Sequence, residues 1–235
     1  MSLTRLAAFA LSLALPQAAA ASTALVYDGP GICDGCAEAA AAAVRLAGLA
    51  VVMAGPEALN PSRLSEIDLV VVGGAEDTVD IRRGMTKAQF RALRDHVRGG
   101  GRYLGLCAGA YLAGDVLDDD GRVAGLRLFD GDAYPASPYA ARVAPVTWRG
   151  KVVALYTQEA AGFQLGPHFQ GEIVATYADG APAAILARAG AGAIALSGPH
   201  PEATADWLEA DGLPPATLPG PAFAAEFVAA LIALR

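Results

Sequence analysis

The chain predicts an α/β fold: a doubly wound, mostly parallel sheet with an added antiparallel β region. Three features of the sequence predict it. Short apolar runs alternate with helical patterns through the first half, the rhythm of successive strand–helix–strand units. One of those runs, Ile67-Asp68-Leu69-Val70-Val71-Val72, is nearly continuous in apolar residues, as a strand covered on both faces requires. Between residues 123 and 177 the rhythm changes, and Gly, Pro and aromatic residues interrupt short β-like runs.

Taken in order, the chain opens on a segment that does not belong to the fold. Arg5 is the only charge before an apolar run over residues 6–15, and Pro16-Gln17-Ala18-Ala19-Ala20-Ala21-Ser22 supplies an A-x-A cleavage site. Residues 1–21 therefore read as a secretory signal peptide. The run is shorter than the roughly 20 apolar residues that span a bilayer. A periplasmic or secreted protein is expected, with one mature domain over residues 22–235.

The first buried strand is predicted over residues 24–27 and closes in Asp28-Gly29-Pro30-Gly31. An alanine-rich helix over 36–46, a second strand over 49–53 and a loop over 56–62 lead to the third strand, which ends in Gly73-Gly74. Thr86-Lys87-Ala88-Gln89 is a capping box, followed at helical spacing by Phe90, Leu93 and Val97; Gly99-Gly100-Gly101 stops that helix. A fourth strand then runs into Cys107. The later β-like runs, such as 152–156 and 172–177, read as antiparallel strands added to one side of the core. Residues 185–197, broken at Gly190-Ala191-Gly192, form a hairpin that delivers His200, and an amphipathic helix over 223–234 closes the chain. The expected architecture is flavodoxin-like. Ligands of such sheets sit beyond the carboxyl ends of the strands. Asp28, Gly73, Gly74, Cys107 and His200 all fall at such ends, so one cleft can collect them.

Composition narrows the function. The 235 residues are 54% hydrophobic with a formal net charge of −7, which argues against disorder and offers no basic footprint for nucleic acid. No stable membrane association is expected once the signal is removed.

The chemistry concentrates in Gly101-Arg102-Tyr103-Leu104-Gly105-Leu106-Cys107-Ala108-Gly109-Ala110-Tyr111-Leu112, a strand running into a cysteine and then a helix start. A nucleophile held at a sharp strand-to-helix turn needs small neighbours, and Gly105 and Gly109 stand two residues either side of Cys107. The helix start aims free N–H groups at the sulfur, which favours negative charge there. Near the other end, Ala193-Ile194-Ala195-Leu196-Ser197-Gly198-Pro199-His200-Pro201-Glu202 is an apolar strand ending in a loop with His and Glu two residues apart. A thiol needs a base, and the base needs a group to hold its tautomer, so Cys107, His200 and Glu202 supply the three roles of a triad. Backbone donors for an oxyanion are expected at Ala108, directly after the nucleophile.

These two blocks resemble the class I glutamine amidotransferase-like superfamily. Within it, G-G-G-R-Y-L-G-L-C-A-G-A-Y-L-A, A-T-Y-A-D-G-A-P-A-A and S-G-P-H-P-E are most similar to the biotin-protein ligase N-terminal domain family, over residues 24–203. The resemblance implies a second oxyanion donor at Gly73 or Gly74, while Asp28 is grouped with the substrate-binding positions by its place at a strand end. It does not imply ligase activity, because no adenylation motif of the G-R-G-R type is present. Glutamine amidotransfer to an ATP-dependent synthase also fits poorly with an exported protein. The expected function is a cysteine-dependent hydrolase of an amide, γ-glutamyl or peptide, in a small molecule or peptide, with no cofactor. The alternative is a non-catalytic periplasmic module that keeps the fold and binds a small ligand or metal ion.

Three further groups are weighed against these. Cys33-Asp34-Gly35-Cys36 can be a structural disulfide, a redox dithiol or half of a thiolate metal site. The inferred compartment favours the disulfide, with Cys107 as the odd free thiol and no metal site assigned. His168 and His96 read as a surface or pocket-lining residue and a plain helix residue. Glu172 is the reserve triad acid.

Overall fold

A computed structural model describes residues 22–118 and 121–234; the signal-peptide expectation lies outside the described residues. The first strands and helices are β1 (Thr23–Tyr27), α1 (Cys36–Leu46), β2 (Ala50–Ala54), α2 (Pro61–Leu64), β3 (Leu69–Val72), α3 (Thr78–Arg83), α4 (Lys87–Arg98), β4 (Arg102–Leu106) and α5 (Ala108–Ala113). Eight strands follow: β5 (Asp115–Asp118), β6 (Gly121–Val123), β7 (Gly131–Pro135), β8 (Arg142–Trp148), β9 (Lys151–Thr157), β10 (Ala161–Leu165), β11 (Gly171–Thr176) and β12 (Pro182–Ala189). The chain ends with β13 (Gly192–Ser197), α6 (Ala205–Ala210) and α7 (Gly220–Ala233).

The main sheet has nine strands in the order β2-β1-β3-β4-β13-β12-β11-β8-β9. Pairing is parallel from β2 through β13 and antiparallel from β13 to β9. Counting only the parallel strands, the order is that of a flavodoxin-like sheet. The antiparallel extension of the core is therefore present, and it continues from the hairpin β12–β13 as expected. The remaining strands form a second sheet of four, β10-β7-β5-β6. There β10–β7 and β5–β6 pair antiparallel, and β5 pairs with β7 in parallel.

Side-chain alternation explains why both faces of the parallel strands are covered. Leu25, Tyr27, Val70, Val72 and Tyr103 point to one apolar cluster, shared with Phe90, Leu93 and Val97 of α4 and Leu112 of α5. Ala24, Val26, Leu69, Val71, Leu104 and Leu106 point to the opposite one, shared with Ala37, Ala40, Ala41 and Val44 of α1 and Phe227, Val228 and Leu231 of α7. Strand residues of period two thus feed two cores, which is why their sequence is continuously apolar.

Local signals set most boundaries. The Thr86 capping box forms in full: Gln89 N–H donates to Thr86 Oγ1 at 3.2 Å and Thr86 N–H to Gln89 Oε1 at 2.8 Å. The expected loop over 56–62 instead holds a 3-10 turn at Pro56–Ala58 and the short α2, whose N-cap Asn60 accepts from Arg63 N–H at 3.0 Å. Helix α3 was not expected from the sequence; Asp77 caps it through Val79 N–H at 2.7 Å. Helix α7 starts at Gly220, three residues earlier than its apolar pattern suggests. Its exposed face is mostly alanine (Ala222, Ala229, Ala233, with Glu226), so the amphipathic contrast is weak although the burial is one-sided.

Candidate active site

Cys107 stands between β4 and α5 with φ 50° and ψ −110°. That is a left-handed conformation that a non-glycine residue adopts at a cost on the order of 1–3 kcal/mol. The surrounding backbone enforces it. Cys107 N–H donates to Ser197 O at 2.8 Å, continuing the β4–β13 ladder, while Cys107 O accepts from Ala110 N–H at 2.8 Å to begin α5. The glycine requirement is literal: a Cβ on Gly105 would lie 2.5 Å from Gly109 O, and one on Gly109 would lie 2.0 Å from Val72 O. Any larger residue at either position would push the strand and helix apart.

The His200 loop is fixed just as firmly. Ser197 Oγ donates to Pro199 O at 2.7 Å, and His200 N–H donates to Tyr156 O at 2.9 Å, joining the loop to the end of β9. His200 Nδ1 lies 2.8 Å from Glu202 Oε1. Cys107 is near enough to the ring to act on its charge. His200 is 4% exposed and Glu202 0%, so this pairing is out of water. Burial works against a charged imidazole, but the charges of Cys107 and Glu202, with their hydrogen bonds, outweigh it and raise His200 to about 10. The Cys107 thiol also lies 3.8 Å from Gln158 O.

Cys107 and His200 line a cleft of about 980 Å³ beyond the carboxyl ends of the parallel strands, with Ala108, Tyr111, Gln158 and Trp207 among its walls. Ala108 N–H belongs to the first turn of α5, where no intrahelical acceptor exists. Gly74 lines the same cleft, whereas Gly73 lies behind it and accepts from Gly109 N–H at 3.0 Å. Asp28 is exposed at the end of β1 and is not among the residues lining the cleft, so the structure does not bring it to Cys107.

Cys33 and Cys36 form a disulfide, with Cα atoms 5.4 Å apart, and Cys107 is the free cysteine. Among the described residues no three His, Cys, Asp or Glu come together as a metal-binding group. Glu172 is committed elsewhere, in a two-point pair with Arg149 at 2.9 and 3.2 Å. His168 is exposed and its backbone N–H donates to Asp130 Oδ2 at 2.7 Å. His96 is half-buried on α4, and burial lowers its pKa.

Sequence reasoning missed an aromatic wall. The rings of Tyr156 and Trp207 meet the His200 ring edge-on, at 5.5 and 4.9 Å between centroids, and meet each other at 5.3 Å. Tyr156 O–H donates to Asp211 Oδ2 at 2.6 Å. Tyr156 reaches the site through an isolated antiparallel bridge between the end of β9 and His200, a pairing with no local signal.

A family model described as biotin-protein ligase, N terminal, matches residues 22–121, a span that holds Gly73, Gly74, Cys107 and Ala108 but stops before His200. A glutamine amidotransferase from Thermotoga maritima superposes on 90% of this chain and 96% of its own, with TM-score 0.58 and 15% identity. The fold is class I glutamine amidotransferase-like. A β-galactosidase from Rahnella sp. R3 is similar in structure over 90% of this chain and 30% of that one, with TM-score 0.53 and 16% identity. Among curated sequences, cobyric acid synthase of Rhodococcus jostii (strain RHA1) is 38% identical over 77 residues, 30% of this chain and 15% of that protein. Cobyric acid synthase of Nocardia farcinica (strain IFM 10152) is 36% identical over 89 residues, 35% of this chain and 17% of that one. The chain thus spans a small part of the curated relatives it matches. At these structural identities the amidotransferase-like likeness establishes the fold alone.

Proposed function

We propose that this amidotransferase-like chain is an exported cysteine hydrolase that cleaves an amide bond through Cys107, His200 and Glu202. The observation that carries the reading is the buried constellation itself: a strained cysteine lining one cleft with a histidine whose Nδ1 is 2.8 Å from a fully buried carboxylate.

In the proposed cycle the Cys107 sulfur adds to the amide carbonyl carbon, and the oxygen takes up negative charge beside the N–H groups of Ala108 and Gly74. The tetrahedral adduct collapses as the C–N bond breaks, and His200 gives its proton to the leaving nitrogen. A thioester on Cys107 remains. Water, losing a proton to His200, then attacks the thioester carbon, and the C–S bond breaks to return the sulfur and release a carboxylic acid. Glu202 touches no substrate; it holds the imidazole in place.

The cleft rim narrows the substrate. Glu76, Asp77, Glu159 and Asp206 line it, with Arg82 as the opposing charge. A neutral or cationic amide suits that rim better than an anionic one. Export rests on the leader pattern of residues 1–21 and on the disulfide, since such bonds persist in oxidising compartments.

The test is turnover of a library of neutral, cationic and γ-glutamyl amides by wild type and by Cys107→Ala, whose small side chain fits the turn. Hydrolysis that disappears with Cys107 supports the proposal, and Glu202→Gln should cost less than Cys107→Ala or His200→Ala. A substrate cleaved equally well without Cys107 would contradict it.

A further inference from the structure

The Cys33–Cys36 disulfide sits in an arrangement that a purely structural bond does not require. A bond that closes so short a loop restricts the unfolded chain little. Its two sulfurs are unequally placed: Cys36 is buried at 2% exposure as the first residue of α1, while Cys33 is partly exposed, and both line the cleft that holds Cys107 and His200. The N-cap of α1 is Gly35, so no side chain caps the helix start, and Cys36 N–H donates to Cys33 O at 3.1 Å.

The disulfide also touches the site directly. A Cβ built on Gly74 would lie 2.9 Å from His200 Cε1, 3.1 Å from Cys36 Sγ and 3.2 Å from Cys33 Sγ. The histidine and both sulfurs therefore crowd around the same glycine, which only the missing side chain permits. Cys33 N–H donates to Gly74 O at 3.2 Å, tying the disulfide loop to the turn after β3.

We propose that Cys33–Cys36 is a thiol-exchange site opening onto the cleft, with a dithiol as its co-reactant, and that its reduction loosens the packing around Gly74 that the His200 ring shares. A thiolate of the dithiol attacks the accessible sulfur of Cys33. The Cys33–Cys36 bond breaks, and Cys36 leaves as a thiolate that takes up a proton. The second thiol of the reagent then attacks the mixed disulfide and displaces Cys33. The reagent ends as a disulfide and the protein as two thiols, two electrons and two protons having moved. The freed sulfurs need a wider separation than the bond of about 2 Å allows, and both sulfurs and the His200 ring pack around Gly74. Neither half of the proposal requires Cys107 to be a nucleophile.

Dithiothreitol added to the folded full chain tests it, with Cys33 and Cys36 scored by maleimide trapping and mass spectrometry and His200 followed by its ring proton resonance. With three histidines in the chain, His200→Gln assigns that resonance. The expected result is complete reduction without loss of helix signal, a displaced His200 resonance and an unmoved His168 resonance. In addition, Cys33 in Cys36→Ala should capture oxidised glutathione at least about tenfold faster than Cys36 in Cys33→Ala. Reduction that needs denaturant, or equal capture rates, would overturn the exchange site. Reduction in the folded state with an unmoved His200 resonance would overturn its link to the cleft. Inert Cys107 alongside a positive result here would count against the hydrolase reading alone.

Discussion

At the residue scale, Cys107 holds a positive φ because β4 and α5 each fix one side of it, and the neighbouring glycines let the two elements meet. The site then follows from which charges face one another. His200 is raised to about 10 by Cys107 and Glu202 against the pull of burial, so removing either partner should lower it. An NMR titration is expected to show His200 protonated at neutral pH in wild type and its midpoint shifted down in Cys107→Ala, where burial is opposed by Glu202 alone. A midpoint that does not move would mean that Cys107 does not act on the histidine's charge. Cys107, His200 and Glu202 were legible in the sequence because each stands in a short motif at the end of an apolar run. Asp28 stands at such a run too, yet its side chain faces solvent, because a strand end fixes only where the backbone goes.

At the element scale, the elbow depends on contact between backbones rather than side chains. Gly109→Ala would set a Cβ against Val72 O, and neither the β3 carbonyl nor the α5 backbone can yield independently. It should cost on the order of 3 kcal/mol, read as a lowered denaturation midpoint, and should cut Cys107 reactivity even in protein that stays folded. Thr86→Ala, by contrast, removes one arm of a capping box on an exposed turn and should cost about 1 kcal/mol with Cys107 reactivity unchanged. Strands β1, β3 and β4 and helix α4 could be read because their apolar spacing or caps are local. Helices α3 and α6 could not, being six residues each with few buried positions. The parallel β5–β7 pairing was hidden for another reason: pairing direction depends on a connection path that alternation does not encode.

At the scale of the whole molecule, the parallel half of the sheet supplies strand ends that carry Gly74, Cys107 and His200, and the antiparallel half supplies the Tyr156 wall beside them. Those two halves were legible as a change of rhythm, but the division of the later strands between two sheets was not, since it rests on long-range pairing. Mass spectrometry of protein from its native host should find a chain beginning near Ser22 and one free thiol under denaturing, non-reducing conditions. An intact Met1 form would remove the export proposal. The claim that Cys107 and His200 act together is tested most directly by the rate of Cys107 alkylation by iodoacetamide at pH 7, in wild type and in His200→Ala. A working pair predicts fast alkylation in wild type and a fall of at least about tenfold without the histidine. Equal rates in the two proteins would contradict it.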